Sequence, residues 1–293
     1  SSQRPITFYP PLYNIIMLPF TWIPSQMGAY LLMTVISFFC FFFISIIFPI
    51  LNLKNKSKLT LIFAMTTISM MSYPFIFEIE RGQSNLLAMC LTLAAVYIYH
   101  NHSRLKYLSY FLFTIAVQIK LYPLIFAFSF MNQKKTWQQN ILRVLALIFF
   151  NIGLIFALGI NEAKNLIYTL PAYLEGGDFY HLLKNKMRGD DAGFILICTL
   201  LTLLLPAVSH DYKLSYLAGP LIYFILKYEE NLNSGIYFVL CFLYFSTLWH
   251  FWDHKQGPYF FTVLFKVNTP AIFVTYFVTI FLCIKFKSKS NLN

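Results

Sequence analysis

Val117-Gln118-Ile119-Lys120-Leu121-Tyr122-Pro123 lies inside an apolar run from Tyr107 to Met131, with Lys120 near its middle. A lysine carried to that depth of a bilayer costs several kcal/mol on insertion scales, so it faces a wet cavity, an anion or a carboxylate rather than lipid. Pro123 removes a backbone donor and disfavours helical geometry at Tyr122, which predicts a helix that breaks just past the lysine. A broken membrane helix bearing a cation is tolerated only where it lines a protein-enclosed cavity. Two readings follow. Lys120 holds an anionic ligand, or it pairs with a buried acid and only ties helices together.

Working outward, the 293-residue chain is 58% hydrophobic and 19% aromatic but only 11% charged, with a mean hydropathy of +0.64. Soluble domains carry about 25% charged residues. Several apolar runs near membrane-spanning length complete the expectation of an all-α, polytopic helical membrane protein. The 33 Phe and 20 Tyr suit lipid-facing helices with aromatic belts. The net charge of +11 sits largely in short loops, where it sets topology, and implies no nucleic-acid partner. Cys40, Cys90, Cys198, Cys241 and Cys283 lie in apolar runs without metal spacing and read as small hydrophobes. No metal and no cofactor is expected. The chain opens Ser1-Ser2-Gln3 without Met or a signal segment, so its true N-terminus is expected to lie upstream.

Taken in order, residues 1–25 form a Pro-rich interfacial or re-entrant lead-in, in which Pro10, Pro11, Pro19 and Pro24 rule out one regular helix. Gln26–Ile50 reads as a span ending at the basic loop Lys54-Asn55-Lys56-Ser57-Lys58, placed in the cytoplasm. Leu59–Phe77 crosses outward and Ser84–Tyr99 returns, with Glu78–Gln83 outside between them. The loops flanking Tyr107–Met131 are both basic, so this run is expected to be a hairpin of two short helices turning at Lys120–Pro123. Gln139–Ile160 then crosses outward. Residues 161–192 read as an external loop, either with interfacial helices or as a solvated connector. Further spans are expected at Gly193–Val208, Leu214–Tyr228, Gly235–Phe251 and Thr269–Phe286, giving a single domain of about 8–10 membrane segments. One odd crossing between residues 161 and 193 stays unassigned.

Three polar clusters are predicted to meet at the outer face: Glu78–Gln83, the Lys120 break, and Ser209-His210-Asp211-Tyr212-Lys213. Cations there suit a lipid phosphate, and amides and carboxylates suit sugar hydroxyls. Consecutive Ser-His-Asp residues cannot form a hydrolase triad, which needs spatial rather than sequential adjacency. His210 beside Asp211 reads as an oriented base, a phosphate ligand, or part of an interfacial cap. Glu78 and Glu80 beside Arg81 read equally as site residues or as a surface ion pair of little worth. His250, Asp253 and His254 have spacing for a metal, but with no third ligand evident they read as an aromatic-belt cap. His100 and His102 read as solvated. The chain has no P-loop and no dinucleotide fingerprint, so an enzyme of this kind takes its activated sugar from the membrane.

Four short motifs occur in order: Ile6-Thr7-Phe8-Tyr9-Pro10-Pro11-Leu12, Arg81-Gly82-Gln83-Ser84-Asn85, Ile119-Lys120-Leu121-Tyr122-Pro123, and Pro206-Ala207-Val208-Ser209-His210-Asp211-Tyr212-Lys213. Together they resemble glycosyltransferase family 87 of the GT-C superfamily, and are similar to mycobacterial mannosyltransferases. The resemblance implies a multi-pass cell-membrane protein with an extracytoplasmic site. It implies transfer of a hexose, mannose above all, from a polyprenyl-phosphate-linked sugar to a glycolipid or glycan acceptor, with inversion. His210 is carried over as the catalytic residue. Lys120, Tyr122, Arg81, Gln83, Glu80, Asp211, Lys213 and Tyr9 are carried over as substrate-binding candidates. The family's general base is an aspartate in a first external loop ahead of the Tyr-Pro-Pro motif, and no acid precedes Glu78 here. The expectation is therefore a chain lacking its first span and first external loop, or a catalytically silent relative. A membrane transporter or flippase for a lipid-linked substrate is the competing class, since it too uses broken helices and buried ions. No internal repeat supports that class.

Overall fold

Proline decides where the helices bend. The computed structural model describes residues 10–53, 58–80, 82–132, 135–158, 191–204 and 217–228. Among these residues the chain is helical throughout, with ten α-helices and no strand. Helix α1 (Pro11–Thr21) fits between the prolines of the lead-in, with Pro10 at its N-cap, Pro11 in its first turn and Pro19 in its last. No single helix runs through the lead-in, but a short one fits within it: Pro11 in the first turn gives up an N–H that has no helical partner anyway, and the helix stops before Pro24. Ser25 then caps α2 (Gln26–Phe42), its hydroxyl accepting from the Gly28 N–H at 2.9 Å.

Helix α2 runs through a π-helical turn, Phe43–Ile47, into α3 (Phe48–Asn52). The cause lies at Pro49, which has no N–H to offer the Ser45 carbonyl one turn back. Widening the turn makes room for the ring. The Thr66 hydroxyl of α4 (Leu59–Met70) reaches the Ser45 carbonyl instead, at 3.5 Å. Pro74 acts similarly on the next stretch. The single span expected over Leu59–Phe77 is divided into α4 and α5 (Tyr73–Glu80), because Pro74 cannot donate to the Met70 carbonyl. Phe75 seals the joint, its ring 4.4 Å from Phe41 and 5.1 Å from Phe38.

The centre of the bundle is an antiparallel pair, α6 (Asn85–Asn101) and α7 (Lys106–Ile119), stitched by the Ser109 hydroxyl on the Ala95 carbonyl at 2.7 Å. Helix α7 stops at Lys120, whose backbone turns extended, and the chain doubles back as a 3₁₀ segment, Tyr122–Phe130. Phe130 thereby returns to the start of α7, 4.8 Å from Phe113 and 5.6 Å from Tyr110. The predicted hairpin is present, but its second limb is 3₁₀ rather than α. The geometry accounts for this: nine residues at about 2.0 Å each cover about 18 Å, close to the roughly 21 Å of fourteen α-helical residues. An α-helix of the same nine residues would fall short of the far end.

That far end is pinned by side chains. His100 Nε2 donates to the Ser129 carbonyl at 2.7 Å, and Arg143 Nη1 donates to the Phe130 carbonyl at 3.2 Å and the Tyr99 hydroxyl at 2.6 Å. His100 and His102 are both exposed, and His100 also serves as a structural donor. Arg143 belongs to α8 (Trp137–Leu158). Helices α9 (Asp191–Leu204) and α10 (Ala218–Tyr228) lie inside the bundle, with Ala192–Leu201 and Ala218–Leu226 almost wholly buried, as helices apolar on all sides should be. Lys58 reaches across to the Leu226 carbonyl at 3.1 Å. By contrast α2 and α8 turn Phe39, Leu142 and Phe149 outward. The continuous helix Gln26–Asn52, of 27 residues, and the helix Trp137–Phe156, of 20, are long and apolar enough to cross a membrane. The spans expected at Gly235–Phe251 and Thr269–Phe286, and nearly all of the 161–192 loop, lie outside the described residues.

Candidate active site

The turn at Gly82 and Gln83 is a helix stop. Gly82 has φ of 56°, the Gly82 N–H donates to the Ile79 carbonyl at 3.0 Å, and the Gln83 N–H donates to the Glu78 carbonyl at 3.1 Å. This pair of bonds is a Schellman motif, which needs a residue in the left-handed region and so favours glycine. It brings the chain round within a few residues, so α6 starts directly beside the end of α5.

Glu78 closes the corner. Its Oε1 accepts from the backbone N–H groups of Asn85 at 2.9 Å and Leu86 at 3.2 Å, and its Oε2 accepts from Asn85 Nδ2 at 3.0 Å. The first N–H groups of a helix have no partner within it and carry the positive end of its dipole. Ser84, at the N-cap of α6, makes no side-chain cap, and the carboxylate does that work from the preceding helix. Glu78 is fully buried. Its reading as half of a surface ion pair is therefore corrected: the helix start supplies the hydrogen bonds that a buried carboxylate must have.

The hairpin bend arrives at the same corner. The Tyr122 hydroxyl donates to the Asn85 carbonyl at 2.7 Å, and the Tyr122 ring is buried. Lys120, half-buried at the C-cap of α7, lies close enough to attract Glu78 electrostatically. From α1, the Tyr13 hydroxyl approaches Ser84. Just inside the bend, fully buried Gln118 donates through Nε2 to the Asn151 carbonyl of α8 at 3.1 Å. The corner is therefore bounded by α1, α5, α6, α7 and α8, and mixes a carboxylate, an ammonium, hydroxyls and amides inside an apolar bundle.

Among the residues singled out from sequence, the structure brings Lys120, Tyr122 and Gln83 to one corner, with Gln83 half-buried. Two of the three predicted clusters thus meet. Tyr9, Arg81, His210, Asp211 and Lys213, the side chain of Glu80, and the His250–His254 group lie outside what is described. Sequence reasoning missed Asn85 as a junction and undervalued Glu78. A signal was present in both: a glutamate within an apolar stretch, and an asparagine opening the next one.

Fold and site together define a helical protein that encloses an ionic corner at one end of an apolar bundle. Residues 7–176, more than half of the chain, match the model for glycosyltransferase family 87, and the chain belongs to that family. It is a glycosyltransferase by descent, with a sugar donor and an acceptor as its substrates. The matched region contains Glu78, Asn85, Lys120 and Tyr122 and stops short of His210. No curated protein and no solved structure matches the chain.

Proposed function

We propose that this protein is a multi-pass membrane hexosyltransferase of GT-C type. It moves a hexose, mannose as first choice, from a polyprenyl-phosphate-linked donor to a glycolipid or glycan acceptor on the extracytoplasmic face. The observation that carries this reading is Lys120, held at the bend of a hairpin at the end of the bundle away from Arg104, Lys106, Lys135 and Arg143. Basic residues collect on the cytoplasmic side of membrane proteins, which supports reading the Lys120 corner as extracytoplasmic.

The chemistry is a single displacement. An acceptor hydroxyl oxygen attacks the anomeric carbon and loses its proton to a general base, for which the family resemblance points to an aspartate. The bond from the anomeric carbon to the phosphate oxygen breaks, and its electron pair stays on the lipid phosphate. Lys120, together with His210, carried over by the resemblance as an active-site residue, stabilises that developing charge. Gln83 and Tyr122 border the sugar, and Tyr9, Glu80, Arg81, Asp211 and Lys213 complete the substrate contacts.

The test is transfer of label from polyprenyl-phosphate-[14C]mannose by the full-length protein in membranes, wild type against Lys120→Ala. Loss of about 10²-fold or more in turnover, with the variant still folded, is the expected result. A folded Lys120→Ala protein transferring at the wild-type rate leaves the lysine as a tie between helices and removes the reading.

A further inference from the structure

The carboxylate that organises the corner has no part in the displacement above, yet the turn after α5, the start of α6 and, through Asn85, the hairpin bend are all tied to it. Glu78 uses both ends. Its carbonyl accepts the Gln83 N–H at 3.1 Å, fixing the turn at Gly82 and Gln83, and its side chain accepts three bonds from Asn85 and Leu86 at 2.9–3.2 Å, fixing the start of α6. Asn85 in turn accepts the Tyr122 hydroxyl at 2.7 Å, two residues past Lys120. We propose that Glu78 is a positioning residue of the sugar-transfer site: through Asn85 and the Tyr122 hydroxyl it fixes the hairpin bend, and so sets where the Lys120 ammonium meets the donor phosphate. This rests on the reading of Lys120 as a phosphate contact.

The arrangement suits that task better than simple cohesion. A glycine-closed turn with a capped helix start would hold α5 to α6 with a serine cap alone, since such caps are worth about 1 kcal/mol. Burying a whole carboxylate for the purpose is costly unless it is fully hydrogen-bonded. What the carboxylate adds is a negative charge near the ammonium. That charge attracts the ammonium at the bend before an anionic donor arrives. A donor phosphate then takes its place beside a cation already oriented, so the ordering cost is met in the fold and not on binding.

The experiment compares wild type, Glu78→Gln, Glu78→Asp, Tyr122→Phe and Lys120→Ala as full chains in membranes, with polyprenyl-phosphate-[14C]mannose as probe. Donor KM, acceptor KM, kcat and the thermal midpoint in detergent are measured for each. Glu78→Gln keeps the side chain's size but loses the charge and sets an amide N–H₂ against either the helix N–H groups or Asn85 Nδ2. The expected result is a donor KM raised about tenfold or more with the acceptor KM unchanged, partly restored in Glu78→Asp. A purely structural glutamate would instead lower the thermal midpoint and the active fraction while leaving both KM values alone, and that result overturns the inference. If Glu78→Gln does not fold, Glu78→Asp decides: a raised donor KM with an unchanged acceptor KM supports the inference and an unchanged donor KM overturns it. Wild-type kinetics in Lys120→Ala overturn the proposed function and this inference together. An impaired Lys120→Ala beside an unaffected Glu78→Gln overturns the inference alone.

Discussion

The Tyr122 hydroxyl donates to the Asn85 carbonyl at 2.7 Å, joining residues 37 apart in the chain. It fastens the start of the hairpin's return limb to the start of α6, and both are places where backbone groups lack their usual helical partners. A buried hydrogen bond of this kind contributes about 1 kcal/mol net. Tyr122→Phe removes the hydroxyl and leaves the ring, so packing is preserved. The expected outcome is a thermal midpoint in detergent lowered by a few degrees, with helix content by circular dichroism unchanged. A midpoint equal to wild type would mean that the bond contributes nothing to holding the bend.

Gly82 is required by its backbone and not by lack of space. Its φ is 56°, while a Cβ built there would meet no atom within 4 Å. Substitution by alanine therefore costs only the strain of the left-handed region, about 1 kcal/mol. Asparagine tolerates that region better. Gly82→Asn is accordingly expected to keep more stability than Gly82→Ala, the order being read from thermal midpoints of the two variants. Equal losses would point to a different conformation of the turn.

The far end of the hairpin makes a separate prediction. Arg143 serves two acceptors, the Phe130 carbonyl at 3.2 Å and the Tyr99 hydroxyl at 2.6 Å. Arg143→Met keeps most of the apolar stem but leaves both acceptors without this donor, at a cost of about 1–3 kcal/mol. Because the break falls where the 3₁₀ limb ends, limited proteolysis should gain a cut near residues 131–136 before global unfolding. An unchanged cleavage pattern would show that His100 and the Asn140 side chain, which clamps Asn132, secure the limb without Arg143.

Much of this architecture can be read from residue types alone, and the parts that cannot share a cause. Lys120 and Pro123 announced a bend, since a cation and a proline in an apolar run leave few alternatives. Paired basic flanks announced a hairpin. The 3₁₀ form of its return limb was hidden, because it is set by the length of the partner helix and not by local preference. Glu78 was misjudged for a related reason: three bonds to a helix start seven and eight residues later depend on how sharply Gly82 turns the chain. The π-helical turn at Phe43–Ile47 had a local signal in Pro49, but the Thr66 hydroxyl that completes it comes from 21 residues away.

That π-helical turn carries the last prediction. Gly219 of α10 lies directly against it, and a Cβ at position 219 would overlap the Ile44 carbonyl group and the Ile44 Cγ2 atom. Small residues let helix backbones approach this closely in apolar bundles. The obstruction is mainly backbone, so no rotamer change can relieve it. Gly219→Ala must push α10 away from the turn, and overpacking of this sort costs about 1–3 kcal/mol or more. The expected outcome is a marked fall in the thermal midpoint in detergent. Shrinking the facing side chain separates the two possible causes. In Gly219→Ala/Ile44→Ala the Cγ2 contact is gone but the carbonyl remains, so the double variant should be no more stable than Gly219→Ala. Recovery of most of the lost stability would place the conflict in the side chain and would refute the backbone contact as the reason for glycine.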